Sequence, residues 1–292
     1  MRIVIPRESV AGERRTSATP ETVKKMIRLG AEVAIESRAG SAVGFDDNIY
    51  AELGAEIVAD RAALLGSADM VLRLRKPEPD EIGMMKPGCI HVSYLDPFNE
   101  RDLIKTLADE GITAISMEMI PRSTRSQKMD ALSSQANLAG YVAVMLAAAQ
   151  LPRIFPMLMT PAGTLKPAKV FIVGAGVAGL QAIATAKRLG ARVTAFDTRP
   201  VVAEQVQSLG GKFLEIDLGD TGQTADGYAR ELTPEQVEIQ RQAQKDVIAD
   251  SDVVITTAQV FGRKPPVLVT KDMVEGMAPG SVIVDMAAET GG

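Results

Sequence analysis

The sequence has little cysteine, histidine and tryptophan, and each scarcity excludes a class of protein. Its 292 residues include one cysteine, Cys89, one histidine, His91, and no tryptophan. A single cysteine cannot form a disulfide within the chain and suits a reducing compartment. Because cysteines and histidines do not cluster, we predict no metal site. His91 alternates with apolar neighbours in CIHVSYL, which favours a packing role over a catalytic one.

The sequence also lacks an excess of positive charge and a long apolar run. It has 32 Lys and Arg against 37 Asp and Glu, a net charge of -5. Nucleic acid is therefore not an expected partner, because neutralising phosphates requires clustered cations. The longest apolar stretch, YVAVMLAAAQL at 141–151, is far shorter than the roughly 20 residues of a membrane span. We expect no direct membrane insertion, and the short apolar reach of MRIVIPRESV predicts a first strand rather than a signal peptide.

Apolar runs alternate with segments of helical periodicity along most of the chain. In the first half RIVI, AEVAIE and IHVSYL are predicted strands, and PETVKKMIRLG at 20–30 is a predicted helix that ends at Gly30. The second half repeats this order with KVFIVG, RVTAF, DVVITTA and SVIVDM. Strands separated by helices predict parallel sheets covered on both faces. The predicted fold class is α/β, with two Rossmann-like lobes whose parallel sheets flank a cleft.

The two lobes are assigned to residues 1–137 and 138–292, joined by a predicted helix over 130–151. The stretches at 67–95 and 250–286 resemble each other, which is typical either of two similar lobes or of any two α/β units. The segment LGDTGQTADGYARELTPEQ at 218–236 lacks apolar periodicity. Loops of this length in compact domains are usually functional or disordered, so we interpret this one as either a mobile lid or a surface insertion.

A glycine-spaced turn begins the second lobe's strand–helix–strand unit, VFIVGAGVAGLQAIATAKRLGARVTAFDTRP at 170–200. Gly174 permits the tight turn, Gly176 lets the backbone approach a pyrophosphate, and Gly179 allows close packing of helix on strand. The backbone N–H groups of the helix that begins at Val177 attract the pyrophosphate. The pattern therefore predicts a dinucleotide site rather than a glycine turn that binds nothing.

Asp197, at the end of the next strand, is the residue predicted to select the cofactor. A carboxylate there accepts hydrogen bonds from the adenosine ribose hydroxyls and repels a 2′-phosphate. It therefore favours NAD(H), although Arg199 could pair with a 2′-phosphate and favour NADP(H). With NAD(H) bound, Arg199 is expected to be either a partner of the lid or a solvated charge. Thr198, between the two, completes this predicted contact with the cofactor.

The polar run PRSTRSQKMDALSSQANLAGY at 121–141 carries the most specific resemblance in the sequence. Taken with GAGVAGLQAIATAKRLGA, FDTRP, EQVQSLGGKF, DGYA and VIVDMAAETGG, it closely resembles the NAD(H)-binding component of proton-translocating nicotinamide nucleotide transhydrogenase. The resemblance covers nearly the whole chain. Members of that family continue beyond the position of Gly292, so we expect either a fragment or an unusually short member.

The resemblance implies a set of partners. In that family the component is a homodimer that binds NAD(H) and docks on an NADP(H)-binding component, and a hydride passes between the two nicotinamides. A separate membrane-spanning component couples this reaction to proton translocation. The implied location is cytoplasmic, peripheral to the inner membrane through the partner subunits.

The resemblance also places Arg122, Gln127, Asp130 and Ser133 around the nicotinamide and its ribose. These residues are the implied catalytic set, although none of them is expected to act as an acid, base or nucleophile. Arg122, Gln127 and Ser133 have the donors and acceptors that a carboxamide requires. Alternatively, Asp130 and Ser133 only cap the helix that begins there. The further cofactor contacts implied by the resemblance are Lys128, Met129, Gly227, Tyr228, Gln240 and Gln259.

Alanine dehydrogenase is the alternative family, with the same two-lobed layout. Its substrate arginine matches Arg15, its lysine position matches Arg75 beside Lys76, and its late acid matches Glu289. Asp96 stands where that family has a catalytic histidine. Oxidation of an amine needs a base, whereas transfer between two nicotinamides needs positioning and exclusion of water. The missing histidine therefore favours the transhydrogenase, and a non-catalytic NAD-sensing module stays open as a third hypothesis.

Overall fold

The structure is a computed structural model that describes residues 1–219, 221, 232–257, 259, 262, 264–288 and 291. The chain divides into two compact units, Met1–Asp130 and Ala131–Gly292. The boundary predicted near residue 137 lies inside the first helix of the second unit, and it stays a prediction.

The first unit is a parallel sheet whose strands alternate with helices. Its strands are β1 (Arg2–Ile5), β2 (Glu32–Glu36), β3 (Glu56–Val58), β4 (Met70–Leu72), β5 (Ile90–Ser93) and β6 (Thr113–Ser116). Its helices are α1 (Pro20–Arg28), α2 (Asp47–Glu52), α3 (Arg61–Ser67), α4 (Pro79–Ile82) and α5 (Arg101–Asp109), with short 3₁₀ turns at Ser41–Val43, Met117–Met119 and Gln127–Met129. The order across the sheet is β3-β2-β1-β4-β5-β6, with parallel pairing throughout.

Local signals explain the bounds of α1, which confirms the helix predicted from the sequence. The Thr19 side chain accepts a hydrogen bond from the Thr22 backbone, and the Thr22 side chain accepts one from the Thr19 backbone. This reciprocal cap satisfies backbone donors that have no partner inside the helix. Pro20 occupies the first turn. Gly30 follows the end of the helix with φ 87, a conformation that glycine adopts without strain.

The second unit contains a second parallel sheet and a small antiparallel hairpin. In the described residues its strands are β7 (Leu158–Thr160), β8 (Gly163–Leu165), β9 (Lys169–Val173), β10 (Arg192–Phe196), β11 (Lys212–Phe213), β12 (Val253–Thr256) and β13 (Val282–Asp285). Its helices are α6 (Ala131–Gln150), α7 (Val177–Arg188), α8 (Ala203–Ser208), α9 (Pro234–Ala249) and α10 (Lys271–Glu275), with a 3₁₀ turn at Pro200–Val202. The parallel sheet has the order β11-β10-β9-β12-β13, and β7 pairs with β8.

Strand β9 shows why this sheet has apolar runs rather than alternating polarity. Val170 and Ile172 lie in a buried cluster with residues of α6 and α7. Phe171 and Val173 lie in the cluster on the other face, with residues of α9 and α10. Both faces of the sheet are covered. The predicted α/β class with two parallel sheets is confirmed.

The resemblance between 67–95 and 250–286 corresponds to a shared structural feature. The Asp69 carboxylate accepts the backbone N–H of Arg2 at 2.7 Å, where β1 begins. The Asp252 carboxylate accepts the backbone N–H of Lys169 at 2.8 Å, where β9 begins. Each aspartate precedes the strand that pairs with the strand it caps, β4 in the first unit and β12 in the second. The two units therefore begin their central strand pair in the same way.

Helix α6 is longer than the apolar stretch seen in the sequence. It has 20 residues, and its length and composition alone would permit a membrane span. A core helix of a soluble protein meets the same criterion. Gly140, Ala143, Val144 and Ala147 of α6 are buried, and the last three lie in a cluster with residues of α7.

Candidate dinucleotide site

The glycine turn between β9 and α7 requires glycine at two positions. Gly174 has φ 98, a left-handed conformation that is costly for other residues, and its N–H donates to the Phe196 carbonyl at 2.8 Å. A Cβ on Gly179 would lie 1.9 Å from the Gly174 carbonyl oxygen, so helix and turn touch through backbone atoms. Gly176 caps α7, and a Cβ there would meet nothing within 4 Å. The N-terminus of α7 is therefore open to a group that approaches from outside, and Val177 is its first residue.

Asp197 follows β10, and both of its carboxylate oxygens are occupied. Oδ1 accepts the backbone N–H and the Nε–H of Arg199, each at 2.9 Å. Oδ2 accepts the backbone N–H of Ala175 at 2.8 Å and the Nη2–H of Arg199 at 2.9 Å. The Asp197 and Arg199 side chains are 7% and 15% exposed, and the hydrogen bonds to Asp197 raise the pKa of Arg199. The expectation that Arg199 is a solvated charge is therefore wrong, because its guanidinium is ion-paired with Asp197.

A pocket of about 300 Å³ opens beside Asp197, where β10 and β11 end. Thr198 belongs to its wall, and the Thr198 carbonyl accepts a hydrogen bond from the Thr221 hydroxyl at 2.7 Å. The sequence prediction missed most of this wall, because the residues after β11 had only the signature of a strand. The lining residues are Asp197, Thr198, Pro200, Phe213, Glu215, Ile216, Asp217, Leu218, Gly219 and Thr221.

The polar segment at 122–130 lies at the end of the first unit. Arg122 Nε is 4.0 Å from Asp130 Oδ2, so the structure brings these two predicted residues together. Between them the chain makes a 3₁₀ turn, Gln127–Met129, and the side chains of this turn are exposed. Ser133 lies in the first turn of α6, in the second unit.

Charged groups surround Tyr94, which follows β5. Burial raises the pKa of Tyr94, and the charges of Glu118 and Asp130 raise it further, whereas the Arg15 guanidinium lowers it. Glu118 Oε1 accepts the backbone N–H of Leu95 at 2.9 Å and that of Asp96 at 2.5 Å. The carboxyl ends of β5 and β6 therefore lie near Asp130, on the edge of the sheet where parallel sheets bind ligands.

The positions that match the alanine dehydrogenase substrate site hold a carboxylate of the chain itself. Glu13 accepts hydrogen bonds from Arg15 Nε at 2.8 Å, Arg15 Nη2 at 2.6 Å and Arg75 Nε at 3.0 Å. The hydrogen bond from Arg15 is the largest cause that lowers the pKa of Glu13 to about 2. Lys76 pairs with Glu100.

Asp96, at the histidine position of that family, has φ 51. Its carboxylate accepts both of its hydrogen bonds from Asn99 Nδ2, at 2.9 and 3.1 Å. Glu289 lies outside the described residues.

The remaining predicted contacts differ in their surroundings. Gln240 is buried on α9, and its Oε1 makes no hydrogen bond within the described structure. Gln259 donates through Nε2 to the Met286 carbonyl at 2.6 Å. Gly227 and Tyr228 lie outside the described residues.

His91 is fully buried on β5, with Nε2 3.1 Å from the Ser93 hydroxyl. Burial, more than the nearby Arg73 charge, lowers the pKa of His91 to about 4. His91 is therefore neutral near pH 7, as its predicted packing role requires. Across the described ranges, no three cysteine, histidine, aspartate or glutamate side chains are placed to hold a metal ion.

The parallel sheets, the glycine turn and the acid at the end of β10 define the class of Rossmann-like α/β proteins. The chain belongs to the alanine dehydrogenase/PNT family: residues 4–139 match its N-terminal domain and residues 143–292 its C-terminal domain.

Three similar proteins locate the chain within this family. An NAD(P) transhydrogenase alpha subunit of Rhodospirillum rubrum is 46% identical over 299 residues, a match that covers 100% of this chain and 78% of the relative. The crystal structure of the transhydrogenase from Sinorhizobium meliloti matches with a TM-score of 0.89 and 43% identity, over 100% of this chain and 80% of that one. Alanine dehydrogenase 2 of Staphylococcus aureus is 32% identical, over 100% of this chain and 73% of the relative. The chain is thus a homologue of transhydrogenase alpha subunits, as its sequence predicts, and a more distant homologue of alanine dehydrogenase.

Proposed function

We propose that this chain is the NAD(H)-binding component of a proton-translocating transhydrogenase. It exchanges a hydride between the NAD(H) that it binds and NADP(H) held by a partner component. The observation that carries this proposal is the 46% identity to a transhydrogenase alpha subunit over the whole chain.

The second unit supplies the groups that would hold the nucleotide. The open N-terminus of α7, at Gly176 and Val177, offers backbone N–H groups to the pyrophosphate. Asp197 would accept the hydroxyls of the adenosine ribose, and the pocket that Thr198 and Pro200 line beside it has room for the adenine. The proposed contacts that rest on the family resemblance are Gly227, Tyr228, Gln240 and Gln259.

The first unit and the start of α6 supply the proposed nicotinamide contacts. Arg122, Gln127, Asp130 and Ser133 orient the ring, and Lys128 and Met129 adjoin them. Bound NAD(H) supplies the ring carbon that gives or takes the hydride. The residues of this chain only position that ring and exclude water, because transfer between two nicotinamides moves no proton at the protein.

Two observations argue against an alanine dehydrogenase activity. The Arg15 and Arg75 guanidiniums are engaged by Glu13, and a substrate carboxylate would compete with that side chain. Asp96 replaces the histidine that would transfer the proton, and its carboxylate is bonded to Asn99. The chain therefore lacks the base that an amine oxidation requires.

The proposed assembly is a homodimer that docks on the NADP(H)-binding component. Exposed apolar side chains on two elements of the second unit support burial in an assembly. On α6 they are Leu138, Tyr141, Val142, Met145 and Leu146, and on the β7–β8 hairpin they are Leu158, Met159 and Leu165. We propose a cytoplasmic location, attached to the inner membrane through the membrane-spanning partner component.

The deciding experiment mixes the purified chain with an NADP(H)-binding component and follows the reduction of an NAD analogue by NADPH. We expect turnover that requires both proteins, and no reduction of NAD by L-alanine. Turnover with L-alanine alone would overturn the proposal in favour of an amino-acid dehydrogenase. Nucleotide binding without either reaction would favour an NAD-sensing module.

A further inference from the structure

The carboxylate of Asp197 has no acceptor capacity left in this structure. A carboxylate offers about four lone-pair positions, and Asp197 receives four hydrogen bonds. Two come from backbone N–H groups, those of Ala175 and Arg199. The other two come from the guanidinium of Arg199, one to each oxygen. A ribose that enters this site has two adjacent hydroxyls to donate, and both acceptor positions that they need are filled.

Only the guanidinium can vacate those positions without moving the backbone. The Ala175 N–H belongs to the glycine turn, which the hydrogen bond from Gly174 to Phe196 ties to β10. The Arg199 N–H directly precedes the 3₁₀ turn Pro200–Val202. The Arg199 side chain, in contrast, is held to Asp197 by rotatable bonds. The number of hydrogen bonds also balances, because two guanidinium N–H donors leave and two ribose O–H donors arrive.

We propose that Arg199 is a gate on the ribose acceptor of the nucleotide site. Its guanidinium caps Asp197 in the nucleotide-free protein and is exchanged for the two ribose hydroxyls when NAD(H) binds. This inference rests on the proposed function, specifically on Asp197 as the acceptor of the adenosine ribose.

The pocket beside Asp197 provides a place for the displaced guanidinium. Glu215 and Asp217 line this pocket, and both side chains are exposed. Either carboxylate can pair with an arginine that has left Asp197, so the exchange does not strand a charge. The exchange still lowers nucleotide affinity, because two charge-assisted hydrogen bonds of a forked pair are lost for two weaker hydroxyl bonds.

The gate also affects the choice between NAD(H) and NADP(H). A 2′-phosphate is repelled by an uncompensated Asp197, whereas the guanidinium of Arg199 offsets part of that repulsion. Removal of the guanidinium therefore has two expected effects. NADH binds more tightly, because no competitor has to leave, and NADPH binds less tightly, because the carboxylate is no longer neutralised.

The test measures dissociation constants of NADH and NADPH for the wild-type chain and for Arg199→Met, Arg199→Lys and Asp197→Asn. For Arg199→Met we expect NADH affinity to rise about threefold to tenfold and the preference for NADH over NADPH to rise about tenfold or more. Arg199→Lys keeps the charge without the fork and is expected to fall between wild type and Arg199→Met. Arg188→Met, at an exposed arginine of α7, is the matched control and should match wild type.

Weaker NADH binding by Arg199→Met would overturn the gate, because the guanidinium would then be a direct contact of the nucleotide. Unchanged NADH binding by Asp197→Asn would instead remove Asp197 from the ribose, so that the proposed nucleotide site itself fails. If Arg199→Met does not fold, NMR of the wild-type protein gives the answer. The Arg199 Nε–H signal, assigned with Arg199→Lys, should shift when NADH saturates the protein, and an unchanged signal would contradict the gate.

Discussion

Gly140 of α6 and Ala178 of α7 meet backbone to backbone. A Cβ on Gly140 would lie 2.2 Å from the Ala178 carbonyl oxygen and 2.9 Å from its carbonyl carbon. The next residue, Gly179, has the same relationship to Gly174 on its other side, at 1.9 Å. Two glycines therefore fix the first turn of α7, one against α6 and one against the turn that follows β9. The position of the proposed pyrophosphate site depends on both contacts.

The first prediction concerns Gly140→Ala. Alanine favours a helix over glycine by about 1 kcal/mol, but here the new methyl group would displace the first turn of α7. We expect a net loss of about 2–4 kcal/mol in the free energy of unfolding and weaker NADH binding, measured by urea denaturation and by titration. Asn137→Ala, at an exposed position of the same helix, should change stability little. An unaltered urea midpoint for Gly140→Ala would show that α6 and α7 can separate without cost.

The second prediction concerns Gln244 on α9. It is fully buried, and neither of its side-chain amide atoms has a hydrogen-bond partner among the described residues. A buried amide without partners destabilises a protein by about 1–3 kcal/mol, and methionine has a similar volume without the polar atoms. Gln244→Met should therefore raise the free energy of unfolding by about 1–2 kcal/mol, whereas Gln242→Met, at an exposed position, should not. Destabilisation by Gln244→Met would indicate a polar contact of this amide.

Features set by short-range chemistry were predictable from the sequence. The start of α1 follows from the side chains of Thr19 and Thr22, and its end from Gly30. The glycine turn follows from the spacing of Gly174 and Gly179, because helix and strand must touch there. Each of these relationships involves residues within about one turn of each other, so the sequence displays it directly.

Features that depend on distant partners were not predictable. Arg199 was expected to face the lid or solvent, since nothing in FDTRP shows that Ala175 fixes the Asp197 carboxylate where the guanidinium can reach it. The pocket wall after β11 was missed for a similar reason, because the Lys212–Phe213 strand pairs with β10 only in the folded sheet. Helix α6 extends ten residues before the apolar stretch at 141–151, because packing on α7 selects small side chains rather than apolar ones.

The third prediction concerns Arg122, whose Nε lies 4.0 Å from Asp130 Oδ2. If Arg122 orients the nicotinamide, Arg122→Ala should lower the rate of hydride exchange about tenfold to a hundredfold, with little change in the free energy of unfolding. Arg125 is exposed in the same segment, so Arg125→Ala is the matched control for lost charge. Equal rates for the two variants would remove Arg122 from the proposed nicotinamide contacts.

The fourth prediction concerns His91 and acid. Burial holds the pKa of His91 at about 4, against 6.5 in an unperturbed histidine. The unfolded chain therefore binds a proton at His91 as the pH falls through 6.5, whereas the folded protein does so only near pH 4. The free energy of unfolding should be unaffected by this group above pH 6.5 and should fall between pH 6.5 and 4, by up to about 3 kcal/mol.

His91→Gln isolates this contribution, because glutamine keeps an N–H group near Ser93 and does not titrate. The wild-type and variant proteins are compared by urea denaturation at several pH values. The carboxylates titrate equally in both proteins and cancel in the difference between the two curves. That difference should be constant above pH 6.5 and should move in favour of the variant as the pH falls to 4. Parallel curves over this range would show that His91 takes up its proton as readily in the folded protein, and that Arg73 and the surrounding core do not keep it neutral.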